Sequence, residues 1–226
     1  KQCLVGSEMC IRDRNTAAGL CYTSGTTGNP KGALYSHRST VLHALTTSLN
    51  LGPSLGDGMK VLPVVPLFHV NAWGLPYAAP LTGTSLIFPG PNLDGASLFD
   101  LMDQENVNSA WGVPTVWLGL LEEIRKQERV PSQFQNVVIG GSAAPKSMIE
   151  EFESLGITVC HAWGMTEMSP VGTQGFLPGS MKKALSQDEQ ISKKCYQGRR
   201  VFGVDLKIVD ENDNSLPHDG IASGEL

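Results

Sequence analysis

Tyr22-Thr23-Ser24-Gly25-Thr26-Thr27-Gly28-Asn29-Pro30-Lys31-Gly32 is the stretch from which the rest of this chain is best read. Its three glycines permit positive φ. Successive backbone N–H groups can then turn inward as an anion nest. Thr23, Ser24, Thr26 and Thr27 add hydroxyl donors, and Lys31 adds a compact positive charge. A triphosphate requires this combination. A plain surface turn would explain two hydroxyls and a glycine, but not eleven residues in this order. A Walker-type loop needs Gly-Lys-Ser/Thr with a helix directly behind it. Here Asn29 and Pro30 separate Gly28 from Lys31, and Gly32 follows the lysine.

Outward from this loop, strand-like and helix-like segments alternate. Strands are expected over 18–23, 61–65, 84–88, 109–113, 136–139, 157–161 and 204–209. Helices are expected over 37–50, with Val41, Leu42, Leu45 and Leu49 at helical spacing, and over 98–105 and 115–127. A further helix starts at Pro145, a residue suited to a first helical position, with Met148, Ile149, Phe152 and Leu155 along one side. The polar, Lys-rich segment 175–195 reads as a surface excursion. Strands separated by helices of about ten residues predict an α/β fold of layered, largely parallel sheets with flanking helices.

Composition bounds the function. The chain has 226 residues, 41% hydrophobic and 17% charged, enough for a substantial core. The net charge of −5 and the lack of any Lys/Arg run argue against nucleic-acid partners. Cys3, Cys10, Cys21, Cys160 and Cys195 are odd in number and lack Cys-x-x-Cys spacing, so neither a disulfide framework nor a zinc site is expected. A reduced, cytoplasmic setting follows. No stretch approaches the ~18 apolar residues of a membrane span, and oligomeric state is not legible. Residues 1–14 lack periodicity and read as a non-native leader.

The 22–32 stretch resembles the signature phosphate loop of the adenylate-forming superfamily, which holds acyl- and aryl-CoA ligases, peptide-synthetase adenylation domains and firefly-type luciferases. Four further stretches match in order. His161-Ala162-Trp163-Gly164-Met165-Thr166-Glu167 resembles the aromatic-Gly-x-Thr-Glu motif. The resemblance implies that Thr166 contacts the α-phosphate, that Glu167 holds magnesium and that Trp163 lies near the adenine or the acyl site. His161 is expected to act mainly through its backbone. Taken alone, this stretch reads better as a helix start capped by Thr166. Gly140-Gly141-Ser142-Ala143-Ala144-Pro145 resembles the Gly-rich strand end beside the adenine, or is an ordinary strand-to-helix turn. Pro66-Leu67-Phe68-His69 resembles the family's Pro-x-x-His, which implies His69 at the mouth between the ATP and acyl sites. A satisfied core histidine is the bland alternative, and His37, His43 and His218 receive that reading. Trp111-Gly112-Val113-Pro114-Thr115 resembles the Gly-Val-Pro-Thr stretch of fatty-acyl-CoA ligases, or is core.

The resemblance runs from about residue 17 to Leu226 and implies that 15–226 are part of an adenylation domain. The family's ribose-binding Asp, hinge and catalytic Lys are expected beyond Leu226. Implied cofactors and co-substrates are ATP, Mg2+ and coenzyme A, with a small carboxylic acid as partner. The implied catalytic set is Lys31, His69, Thr166 and Glu167. Thr23, Ser24, Gly25, Thr26, Thr27, Gly28, Lys31, Gly140, Gly141, Ser142, His161, Ala162, Trp163, Gly164 and Thr166 would bind the nucleotide. Trp73, Trp111 and Trp163, with His69, are expected on the acyl side. Val70-Asn71-Ala72-Trp73 offers no Asp for an α-amino group, which favours a fatty or related acid over an amino acid. A luciferase-like oxidoreductase and a non-catalytic nucleotide-binding fragment stay open as alternatives.

Overall fold

The structure, a computed structural model, describes residues 13–24 and 28–226. Most of the expected leader and the loop residues Gly25, Thr26 and Thr27 lie outside the described residues. The Gly/Thr-rich loop joins two antiparallel strands, β1 (Ala17–Thr23) and β2 (Lys31–Ser36), which pair only with each other. Helix α1 (His37–Asn50) follows at once. Ser36 caps it, accepting from the Ser39 N–H at 3.0 Å while the Ser39 side chain returns the bond.

The central sheet is built from β3 (Lys60–Pro63), β4 (Ser85–Leu86), β5 (Ser109–Gly112), β6 (Asn136–Ile139) and β7 (Thr158–His161). All neighbours are parallel, in the order β4-β3-β5-β6-β7. Parallel strands need crossovers. Helices α2 (Leu75–Thr82), α3 (Gly95–Gln104), α4 (Pro114–Gln127) and α5 (Lys146–Ser154) lie in the connecting segments. Side chains alternate across the sheet. Leu62, Ala110, Val137, Ile139 and Val159 enter one core with Phe99, Met102, Trp117, Leu120, Ile149 and Phe152. Val61, Trp111, Val138 and Cys160 enter the other with Cys21, Tyr35, Leu51, Leu75 and Phe176. Both faces are buried, so the strands read as apolar runs rather than as polar/apolar alternation. A full side chain of this size contributes about 1.5–3 kcal/mol by burial.

The rest forms an antiparallel sheet of β8 (Trp163–Gly164), β9 (Val171–Gln174) and β10 (Arg199–Arg200), with α6 (Gly179–Ala184) and α7 (Gln187–Lys194) between β9 and β10. The segment 175–195 is therefore no featureless excursion. Ser186 and Glu189 form a reciprocal capping box on α7, and Ile191 and Lys194 are buried. The Lys194 ammonium is ion-paired with Glu153 of α5, whose carboxylate also accepts the Val159 N–H at 2.6 Å.

Three other expectations are corrected. Helix α1 forms, but its apolar stripe Val41, Leu42, Leu45 and Leu49 is exposed, and the face of His43, Ala44, Thr46 and Thr47 is buried. That small, polar face packs towards α2 and β9, where short side chains permit a close approach. The strand expected over 84–88 is only Ser85–Leu86, because Thr84 is taken by hydrogen bonds with Gly56. No strand forms over 204–209. Val209 alone makes isolated bridges, to Ser215 and Glu225.

Candidate functional site

Ligands of open parallel sheets bind beyond the carboxyl ends of the strands. Here the matched motifs leave adjacent strands at that end. β3 runs into Pro66 and His69, β5 into Val113 and Pro114, β6 into Gly140 and Gly141, and β7 into Ala162 and Trp163. A cleft of about 280 Å3 opens there, lined by His69, Val70, Trp73, Gly140, Gly141, Ala162, Trp163, Gly164, Met165, Thr166, Glu167, Pro170 and Val171.

The cleft thus gathers His69, Gly140, Gly141, Ala162, Trp163, Gly164, Thr166 and Glu167 from the expected set. His69 and Glu167 are exposed, and Thr166 is half-buried at the start of a single 3-10 turn, Thr166–Met168. Thr23, Ser24, Gly28, Lys31 and Ser142 do not line it. Thr23 is half-buried, with its hydroxyl at 3.5 Å from the Lys31 carbonyl, and Ser24, Gly28, Lys31 and Ser142 are exposed. Gly25, Thr26 and Thr27 are outside the described residues. The hairpin that carries them reaches the cleft through Tyr35, whose hydroxyl donates to the Thr166 carbonyl at 2.5 Å. Tyr35 is 4% exposed. Burial, with Cys21 beside it, raises its phenol above the ordinary tyrosine range, so it stays a neutral donor.

The floor is Trp73. It sits in the segment Val70–Trp73, where φ is +50° at Val70, +51° at Asn71, +47° at Ala72 and +58° at Trp73. Such a left-handed run of non-glycine residues costs about 1–2 kcal/mol per residue. Gly140 lies on the Trp73 ring: a Cβ there would meet Trp73 Cη2 at 3.1 Å and the Ala162 carbonyl at 3.3 Å. Gly141 has φ +78°, a conformation suited to glycine, and a Cβ would meet Val113 at 3.0 Å. These glycines serve the packing of the strand end as well as any ligand above it.

Two sequence expectations change. Trp111 is fully buried in the sheet core, away from the cleft wall, because its position on β5 points it into the second core. His161 acts through its ring as well as its backbone. It is 1% exposed, and Nε2 accepts the Ala144 N–H at 3.2 Å, fixing the turn after Gly141. Burial lowers its pKa against the opposing effect of nearby Lys194 and Cys195 carbonyls, so the ring is a neutral acceptor. Cys160 is buried, its thiol pushed up to about 12 by desolvation, in line with an inert residue.

Sequence reading missed Tyr35; it gave His43 a core reading, which the structure bears out, while His37 and His218, read the same way, are exposed. His43 is 8% exposed and its Nε2 accepts the Val171 N–H at 3.1 Å, beside the cleft wall. Tyr35 had one signal available: it occupies an inward position of β2, like Cys21 on β1. For a divalent cation, the described residues offer no group of three or more His, Cys, Asp or Glu side chains. The exposed carboxylate of Glu167 at the cleft edge instead suits an ion that takes most of its ligands from phosphate and water.

Comparison with known proteins agrees with this fold. A family model described as AMP-binding enzyme matches residues 6–226. A medium-chain-fatty-acid–CoA ligase of Ectopseudomonas oleovorans is 53% identical over 215 residues, covering 95% of this chain and 39% of that protein. A 3-methylmercaptopropionyl-CoA ligase of Ruegeria lacuscaerulensis is 50% identical over 222 residues, covering 97% of this chain and 41% of that protein. Among solved structures, the o-succinylbenzoate CoA synthetase of Bacillus subtilis in complex with AMP superposes with a TM-score of 0.75 at 25% identity, over 91% of this chain and 39% of that one. The chain spans about two fifths of the length of the curated relatives it matches. With its parallel sheet, its strand-end cleft and its ordered series of motifs, the chain belongs to the AMP-binding enzyme family.

Proposed function

We propose that this chain carries the nucleotide-binding part of an AMP-forming acyl-CoA ligase. In the first half-reaction a carboxylate oxygen of the acid attacks the α-phosphorus of ATP. The bond to the bridging oxygen breaks and pyrophosphate leaves. In the second, the thiolate sulfur of coenzyme A attacks the acyl carbon, and AMP departs with the electron pair of the broken acyl–oxygen bond. The observation that carries this reading is the convergence of His69, Thr166 and Glu167 in one cleft, with the phosphate-loop hairpin tied to it through Tyr35.

Neither step needs a protein nucleophile; both need positioning and charge stabilisation. In this reading Lys31, Thr23, Ser24 and the nest of Gly25, Thr26, Thr27 and Gly28 hold the β- and γ-phosphates. Thr166 donates its hydroxyl to an α-phosphate oxygen. Gly140, Gly141, Ser142, Ala162, Trp163 and Gly164 bound the adenosine, with the neutral His161 ring fixing the turn behind them. His69 and Trp73 stand between nucleotide and acid. Glu167 would hold Mg2+, which when bound neutralises charge on the departing pyrophosphate. The walls given by Val70, Trp73, Met165, Pro170 and Val171 are apolar, which favours an alkyl acid. The two most similar ligases described above act, by name, on medium-chain fatty acids and on 3-methylmercaptopropionate, a short thioether acid. We place the reaction in the cytoplasm, which supplies ATP and coenzyme A.

Carboxylate-dependent exchange of pyrophosphate into ATP tests the proposal on the full-length gene product, with fatty, aryl and amino acids compared side by side. Exchange with fatty acids that is abolished by Glu167→Ala is the expected result. ATP binding without exchange for any acid would leave a nucleotide-binding module and no ligase.

A further inference from the structure

Among the described residues, the hairpin that carries the phosphate loop shares no strand pairing with either larger sheet. Its position relative to the cleft therefore depends on the helix it leads into, on the packing of β1 against the Thr166–Met168 turn, and on the side chains of its buried face, Cys21 and Tyr35. Cys21 Sγ lies 3.8 Å from the Asn71 side-chain oxygen, a weak thiol contact. Tyr35 makes the strong one. Its hydroxyl donates at 2.5 Å to a carbonyl 131 residues away in sequence. That carbonyl belongs to Thr166, the first residue of the 3-10 turn that also holds Glu167. The only other donor to it among the described residues is the Ser169 N–H, at 3.3 Å within the same turn. Among the described residues, the Tyr35 hydroxyl thus makes the direct hydrogen bond between the hairpin and the Thr166–Met168 turn.

We propose that Tyr35 is a positioning residue that sets the register between the β1–β2 hairpin, which carries Thr23, Ser24 and Lys31, and the turn bearing Thr166 and Glu167. This rests on the reading of the cleft as an ATP site. A triphosphate must be held at one end by the loop and at the other by the turn. Its affinity depends on both being in register at once. AMP reaches only the adenosine and α-phosphate contacts, so it does not sense that register. Replacing the hydroxyl by hydrogen leaves the ring in the core and unties the hairpin from the turn, whose own Ser169 N–H to Thr166 carbonyl bond keeps Thr166 in place for AMP.

The test is calorimetric binding of AMP and of ATP with magnesium to the full-length gene product, wild type and Tyr35→Phe. The variant is expected to bind ATP about five- to tenfold more weakly, the scale of one lost hydrogen bond, with AMP affinity changed less than twofold. In a Glu167→Gln background the same substitution should cost less than twofold, because the turn then has less to deliver to the triphosphate. Equal weakening for AMP and ATP, or no weakening for either, overturns the inference. So does loss of the cooperative melt in Tyr35→Phe, since the hydroxyl would then serve the fold rather than the register. Failure of the wild type to bind either nucleotide is a different result: it sinks the ATP-site reading, and this inference falls with it.

Discussion

His43 and Val171, 128 residues apart, are joined by a buried hydrogen bond of 3.1 Å in which the imidazole Nε2 accepts the backbone N–H. The same ring fills the space above Gly74, where a Cβ would stand 2.6 Å from it. One side chain of α1 therefore braces the end of the left-handed segment and the strand that closes the cleft. Burial lowers the His43 pKa to about 4. The unfolded ring titrates near 6.5, so between these values the unfolded chain takes up a proton that the folded chain refuses. This contribution to stability is complete above about pH 6.5 and is lost as pH falls towards 4, by about 3 kcal/mol in all. Urea titrations at pH 7 and pH 4 should show it. His43→Gln, which can still accept from Val171 but does not titrate, should flatten that part of the profile.

The Lys194–Glu153 pair joins α7 to α5. The Lys194 side chain is only 2% exposed, and desolvation lowers its pKa against the raising effect of Glu153. Glu153→Leu strands a buried ammonium and removes the acceptor of the Val159 N–H. It should destabilise by about 3–5 kcal/mol. Adding Lys194→Met should recover at least half of that loss, read as midpoints in guanidinium chloride.

Thiol chemistry should follow burial. Cys160 is buried with its thiol pushed up to about 12, Cys21 is buried, and Cys195 is half-buried. Iodoacetamide under native conditions, followed by peptide mass spectrometry, should label Cys195 first among these three. Native labelling of Cys160 at a comparable rate would contradict its place in the core.

Gly141→Ala should be costly beyond its size. The position has φ +78° and the added methyl meets Val113 at 3.0 Å. A loss of about 1–2 kcal/mol from backbone conformation alone is expected, with further loss if Val113 cannot move. Because Gly141 lines the cleft, AMP affinity should fall as well, whereas Gly156→Ala, with φ +79° and open space around it, should reduce stability alone.

Local chemistry made much of this fold readable. The crossover helices α3, α4 and α5 follow from apolar spacing, and the strand ends follow from Gly and Pro; α2, with Pro80 inside it, was not anticipated. Residues Ser186 and Glu189 carried a legible capping box that would have marked α7. What sequence hid was the choice of partner. Periodicity identified α1 as a helix, but the tertiary neighbours took the Ala44 and Thr47 face rather than the leucine stripe. Val204, Leu206 and Ile208 alternate as a strand would, yet only Val209 found a bridging partner nearby. In the cleft, motif order located His69, Thr166 and Glu167. It misplaced Trp111, since a tryptophan beside a motif looks the same whether it faces ligand or core. Tyr35, and the partner of the core histidine His43, were illegible for a simpler reason: the groups they bond are more than a hundred residues distant.

The cleft is made from the ends of neighbouring strands, whereas the two cores lie along their flanks. A residue such as Met165 can therefore be exchanged without opening the sheet. Natural variation gains a free hand at one rim of the molecule while the scaffold beneath is held constant. An architecture of this kind can change what its cleft admits through substitutions at the rim, leaving both cores intact. Diversification of specificity within such a lineage is then limited by the chemistry of the rim and not by the tolerance of the fold.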